Sequence, residues 1–328
     1  MNNKALLVGI NAYPNPSNNL RGCINDIVDM ENFITSKNKV YQKEDIRTLT
    51  DNRATKKEIL TALNWLLLGA SAGDQILFHY SGHGAQLPSK GHTYEKDGLD
   101  EIICPYDFSD AEATQTAITD KEFAKIFATI PKGVHFVWIS DSCHSEDLSR
   151  KQQITLDTRF RRFNHETQHG VSIPVASLSA AAIPLHGALL SGCASHQLSA
   201  DAYINNDNSN DDNSYYEFKD TRFRRFNYKN STQQAEADAP ITSLGSAHSP
   251  LHGALLSGCA SHQLSADAYI NNRFNGAFTH YLIKNLNLYG QDASMQEIVK
   301  YVNIDLMEND YDQNPQSEGL LATQKFFQ

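Results

Sequence analysis

Cysteine is scarce in this chain: five among 328 residues, an odd total with no pair at metal-ligand spacing. That excludes a disulfide framework and fits reduced thiols in a cytoplasmic setting. Long apolar runs are missing as well. The longest early one, Ala5 to Ile10, is strand-sized, whereas a membrane helix needs roughly 20 apolar residues, so no membrane partner is expected. Only Lys4 charges the N-terminus and no small-residue cleavage site follows an apolar core, which argues against a secretory leader. Strand-like sequence begins almost at once, so no N-terminal pro-region is expected. Positive charge is in deficit too: 28 Lys and Arg stand against 38 Asp and Glu, a formal −10. This argues against a nucleic-acid surface and favours basic partners.

What is present is alternation of two periods. Lys4 to Ile10 is apolar on both faces, the mark of a strand in a parallel sheet covered by helices. Asn25 to Thr35 then sets Ile27, Met30, Phe33 and Ile34 at helical spacing. Asp45 to Thr50 is a short second strand. Asp51 and Thr55 are caps before Ile59, Leu60, Leu63, Leu66 and Leu67, which repeat with helical period. Gln75 to Tyr80 is a third strand running into Ser81-Gly82-His83-Gly84. Thr119 to Ile130 is a helix, and Val134 to Ser140 a fourth strand running into Asp141-Ser142-Cys143-His144-Ser145. Such alternation implies an α/β fold with a doubly wound, mostly parallel sheet. Two polar strings then sit just past the C-terminal ends of two buried strands, the edge where open α/β sheets bind ligands.

The second half repeats itself. Asp157 to Asn164 recurs as Asp220 to Asn227, and Pro184 to Asn206 recurs without change as Pro250 to Asn272. A solenoid needs at least about three units and tolerates drift, so this reads as a recent duplication or an artefact of sequence assembly. Only one copy can fill a given strand. The second is expected there, because it continues through Asn275 to Thr279 into two amphipathic helices, about 278–287 and 294–308. The first runs into Asn205 to Ser214, an Asn/Asp/Ser tract expected to be disordered. A turn around Pro315 and a closing strand near Leu320 to Phe326 finish the chain.

A thiol attacks a carbonyl as the thiolate, and a histidine is the natural acceptor of its proton near neutral pH. Two strand ends on one sheet edge can bring His83 and Cys143 together. Gly82 lets the backbone come close to a substrate carbonyl, and the N–H groups of Gly82 and Cys143 are candidates for an oxyanion hole. His144 is a rival base, but neighbours on an extended segment point apart.

Tyr80 to Gly84 and Ser140 to Ser145 resemble the histidine and cysteine motifs of metacaspases. Gly22 to Asp26, Asp97 to Ile103, Gly258-Cys259, Gln263 to Ala268 and Gly276 to Thr279 are also similar to that family's segments. The resemblance runs through residues 4–148 and again 250–327. It implies a caspase-like three-layer α/β/α sandwich on a mostly parallel sheet of about six strands. Residues 1–148 would be the large-subunit region, 149–249 an insertion holding the duplication, and 250–328 the small-subunit region of the same domain. It further implies a His83/Cys143 dyad and an S1 pocket for basic side chains lined by Cys23, Asp26, Ser81 and Asp141. Asp26 and Asp141 are carboxylates able to take a guanidinium bidentately. No cofactor is required for the chemistry. Calcium is implied as an activator, with Asp97, Asp100, Glu101, Asp120 and Asp147 near the family's positions but at different loop lengths. Self-cleavage is implied too, with Arg150, Lys151, Arg162 and Arg225 as candidates in the linker. Glu146 stands where many relatives carry Gly, an extra acid beside the thiolate.

The expected protein is thus a monomeric endopeptidase acting on peptides or proteins with a basic P1 residue. The rival reading is a catalytically silent caspase-like module that binds and signals. A hydrolase elbow is excluded by context: Gly69 to Gly73 fits Gly-x-Ser-x-Gly but follows a helix and precedes a strand.

Overall fold

A computed structural model describes residues 2–36, 40–88, 99–142, 159–160, 253–260 and 263–328. The alternation of the first half becomes β1 (Lys4–Gly9), α1 (Cys23–Ser36), β2 (Ile46–Thr50), α2 (Lys56–Leu67) and β3 (Gln75–Ser81). β4 (Gly84–Pro88), β5 (Leu99–Ile103), a short helix α3 (Ala113–Thr116), β6 (Ile118–Thr119), α4 (Asp120–Phe127) and β7 (His135–Asp141) follow. The remainder supplies β8 (Arg159–Phe160), β9 (Gly253–Ser257), β10 (Ala266–Ile270), β11 (Arg273–Gly276), α5 (Ala277–Tyr289), α6 (Met295–Glu308) and β12 (Gln316–Glu318).

Six strands form the central sheet in the order β12-β9-β7-β3-β1-β2. All pair parallel except β12, which is antiparallel to β9. The alternation within each strand splits the core into two layers. Leu6, Val8, Ile76, Phe78, Phe136 and Trp138 face α2 and α4, meeting Ile59, Leu63, Leu66, Phe123 and Phe127. Ala5, Leu7, Leu77, Val137 and Ile139 face Ile27, Met30 and Ile34 of α1, Phe278 and Leu282 of α5, and Ile298 and Val302 of α6. A strand apolar on both faces is stable only between two helix layers, and β1, β3 and β7 occupy that position. Gly9 ends β1 where α1 crosses it: a Cβ there would lie 2.7 Å from the Cys23 carbonyl oxygen. Among the described residues no helix is long and apolar enough to cross a membrane.

Strand β9 comes from the second copy of the repeat; the first copy, Pro184 to Asn206, lies outside the described residues. Two expectations are corrected. The closing strand is Gln316–Glu318 rather than 320–326, because Gly319 turns the chain at a φ of +93°. Leu321 N–H then donates to the Gly253 carbonyl at 3.0 Å, so 320–326 wraps the end of β9 as turns. The helix expected over 119–130 stops at Phe127, shortly before Pro131, with Thr119 closing a capping box on Glu122. Two small antiparallel sheets, β4-β5-β6 and β11-β10-β8, flank the main one.

Candidate functional site

Register puts the ends of three strands side by side: Gly9 pairs with Ser81, and Ser81 with Asp141. The chain order reverses between β1 and β3, the switch point where a crevice opens in such sheets. Cys23, Asp26, Ser81, His83 and Asp141 all collect there, each buried.

His83 lies between β3 and β4, and its loop is held from both ends. Its N–H donates to Tyr13 Oη at 3.0 Å, and its carbonyl accepts from Cys104 N–H at 2.9 Å and from Tyr80 Oη at 2.7 Å. Burial pushes both phenols well above their usual pKa, so they act as neutral hydroxyls. The imidazole packs on Tyr13 with ring centroids 4.9 Å apart. Its Nε2 lies 2.7 Å from the Asn18 carbonyl oxygen. A carbonyl only accepts, so Nε2 carries the proton, and in the neutral ring the lone pair resides on Nδ1.

The loop bearing Tyr13 and Asn18 is itself pinned. Asp51 Oδ1 accepts from the N–H groups of Asn11 and Ala12 at 2.8 and 2.9 Å. Asn19 Oδ1 accepts from Tyr13 N–H, and Asn11 Oδ1 from Cys23 N–H at the start of α1. Asp267 of β10 accepts from Arg21 and Gly22 N–H, both at 2.8 Å. Only glycine fits at position 22, since a Cβ would sit 2.5 Å from Asp267 Oδ1 and 2.6 Å from the Asn275 backbone.

The two expected pocket acids are each gripped by several donors. Asp26 accepts from Ser81 Oγ at 2.8 Å, Gly276 N–H at 2.8 Å and Asn275 Nδ2 at 3.2 Å. Asp141 accepts from Ser265 Oγ and Thr279 Oγ1, both at 2.6 Å, and from Thr279 N–H at 3.0 Å. The structure thus joins Asp26 to Ser81 directly and sets Ser81 beside Asp141. Cys23 is a buried thiol on the first turn of α1.

Cys143, His144, Glu146, Asp147, Asp97 and the candidates Arg150, Lys151, Arg162 and Arg225 lie outside the described residues. Gly82 N–H, expected in the oxyanion hole, donates to the Asp141 carbonyl at 3.3 Å, so it would have to be released to meet a substrate oxygen. Of the calcium candidates, Asp100 pairs with Lys121 at 2.5 Å. Glu101 follows it on the same strand with the alternate facing, and Asp120 begins α4. No group of three metal-binding side chains assembles among the described residues, so they supply no calcium cradle.

Tyr13, Asn18, Ser265, Asp267, Asn275 and Thr279 were not singled out from the sequence. Asn and Pro density over 11–19 marks a shaped loop, and the polar residues flanking β10 and β11 break an apolar pattern; neither signal names a partner.

Taken together, the helix-covered parallel sheet with a buried histidine loop and paired acids at its C-terminal edge defines a caspase-like α/β sandwich. A crystal structure from Geobacter sulfurreducens superposes with a TM-score of 0.58, covering 99% of this chain and 98% of that one at 20% identity, a likeness of fold alone. Residues 3–150 match the family described as metacaspase, peptidase C14 domain. Metacaspase-1A of Aspergillus niger is 43% identical over 149 residues, 43% of this chain and 35% of that protein. Metacaspase-9 of Arabidopsis thaliana is 40% identical over 158 residues, 45% of each. The chain thus spans between a third and a half of the length of these relatives.

Proposed function

We propose that the protein is a cysteine endopeptidase that cleaves after Arg or Lys with Cys143 as nucleophile and His83 as base. The observation that supports this most is the His83 Nε2 contact with the Asn18 carbonyl, made at the end of the strand paired with the one that runs into Cys143. With Nε2 protonated, Nδ1 takes the thiol proton. The thiolate attacks the scissile carbonyl, and the imidazolium returns its proton to the leaving amine. Water then hydrolyses the acyl-enzyme. Gly82 and Cys143 N–H would hold the oxyanion once Gly82 leaves Asp141. Asp26 and Asp141, with Cys23 and Ser81 between them, suit a guanidinium or ammonium P1 group. The hydrolysis needs no cofactor, and calcium enters as an activator bound through acids that include Asp97 and Asp147. The basic linker makes Arg150, Lys151, Arg162 and Arg225 sites of self-cleavage.

A panel of fluorogenic peptides differing only at P1, assayed with and without calcium, tests this reading. Turnover of the Arg and Lys peptides is expected. Turnover of the Asp peptide alone would overturn the specificity, and turnover of none under either condition would overturn the activity. A second reading, a silent binding module, draws on one observation: the acids and Gly82 N–H are all engaged internally.

A further inference from the structure

The Nε2 contact with the Asn18 carbonyl pins one corner of the His83 imidazole but not its plane. The last torsion of a histidine side chain is soft, so a ring held at one corner can still turn and swing Nδ1 out of line. Tyr13 closes that freedom. Its ring lies on the imidazole with centroids 4.9 Å apart and planes tilted by 47°, an arrangement in which aromatic rings attract.

The hydroxyl of Tyr13 takes a second, independent hold. It accepts from the His83 backbone N–H at 3.0 Å and donates to the Cys104 carbonyl at 3.3 Å. Tyr80 Oη lies alongside, 2.7 Å from the His83 carbonyl and 3.0 Å from the Cys104 carbonyl. The backbone before His83 passes directly over both phenols: a Cβ at position 82 would lie 2.7 Å from Tyr80 Oη and 3.1 Å from Tyr13 Oη. Tyr13 and Asn18 share the loop between β1 and α1, so one segment grips the imidazole by face and by edge. That segment is braced locally. Tyr13 N–H donates to Asn19 Oδ1 at 2.8 Å, and Asn18 N–H to the Asn15 carbonyl at 3.0 Å.

We propose that Tyr13 is a positioning residue with two separable parts: its ring sets the plane of the His83 imidazole, aiming Nδ1 at the nucleophile, and its hydroxyl fixes the backbone of the His83 loop. This rests on the reading of His83 as the base of a cysteine peptidase. Tyr13 acts through His83 and not on the substrate. Removing the hydroxyl leaves a buried N–H without its acceptor, whereas removing the ring frees the imidazole to turn.

The test uses the full chain labelled with 15N and two variants. Tyr13→Phe keeps the ring and loses the hydroxyl; Tyr13→Leu loses both. In the parent, His83 Nε2–H should give a resonance protected from exchange with water, assigned by its absence in His83→Gln. Tyr13→Phe should keep that resonance, speed exchange of the His83 backbone amide about tenfold and lower kcat about tenfold. Tyr13→Leu should lose the resonance and lower kcat at least about a hundredfold. KM for an Arg peptide should stay within about twofold in both, because Asp26 and Asp141 are untouched. Should the leucine variant not fold, the phenylalanine variant decides alone. Parent-like kcat and parent-like His83 amide exchange in Tyr13→Phe would overturn the proposal, as would a folded Tyr13→Leu chain that keeps the resonance. Loss of the resonance in a chain whose parent cleaves no peptide would uphold the hold on the imidazole while refuting the peptidase reading.

Discussion

Residues 4–142 and residues 253–328 meet at one sheet edge but bring different atoms to it. The first region supplies the groups that would act on a substrate: His83 after β3, Asp26 on α1 and Asp141 at the end of β7. The second supplies groups that hold them: Asn275 and Gly276 on Asp26, Ser265 and Thr279 on Asp141, and Asp267 on the loop that carries Tyr13 and Asn18. Strand ends place a reactive group to within a residue; the two acids are then oriented by donors from a distant part of the chain, whereas His83 is held by Tyr13, Asn18, Tyr80 and Cys104 of its own region.

The comparison breaks first at the reactive groups. His83→Ala and Cys143→Ala should each cut peptide turnover at least about a thousandfold while leaving circular dichroism unchanged, since both act on the proton and the nucleophile. Next come the supports. Thr279→Val removes the shorter of its two bonds to buried Asp141 and should cost about 1–3 kcal/mol, read as a lower urea midpoint at unchanged slope. Thr279→Ser should recover most of it. A valine variant as stable as the parent would separate the two regions.

A smaller effect lies at the opposite end of the sheet, where the second region is fastened to β7. His135 Nε2 lies 3.0 Å from the Phe326 carbonyl, and burial lowers its pKa below the usual 6.5. The folded chain then binds fewer protons there than the unfolded chain at pH between the two values. Stability from this group is full above about 6.5 and falls as the pH drops toward the lowered value. His135→Gln can keep a donor for Phe326 without titrating, so the loss of urea midpoint between pH 7 and pH 5 should be shallower. An unchanged slope would contradict the assignment.

Much of this was legible in the sequence, and the reasons are local. β1, β3 and β7 are apolar on both faces, α2 keeps strict helical period, and the two polar strings sit where register later puts Ser81 and Asp141 together. Long-range bonds were not legible. α1 starts at Cys23 rather than near Asn25 because Asn11, twelve residues earlier, caps it. The hairpins β4-β5 and β10-β11 are too polar for a period-two reading. The closing strand was misplaced because its three residues, Gln316 to Glu318, carry no apolar signal.

The smallest expected effect concerns the duplication. Deleting residues 158–220 keeps one copy of Asp157 to Asn164 and one copy of Pro250 to Asn272. The connection to β9 from the residues that pair with β10 shortens from about 90 to about 30 residues, which should stabilise the fold by only about 1 kcal/mol. A folded, active deletion is expected, with a slightly raised Tm. An insoluble deletion alongside a tolerated removal of the second copy would place the first copy in the sheet.

The central claim, a thiolate at Cys143 served by His83 and a pocket for a basic P1 group, can be read in one covalent experiment. The full chain is incubated with a peptidyl-arginine chloromethyl ketone and with its aspartate analogue, and the adduct is mapped by mass spectrometry. The account predicts a single adduct, on Cys143 among the five cysteines, formed by the arginine reagent and lost in His83→Ala. Labelling of another cysteine, or faster labelling by the aspartate analogue, would contradict it.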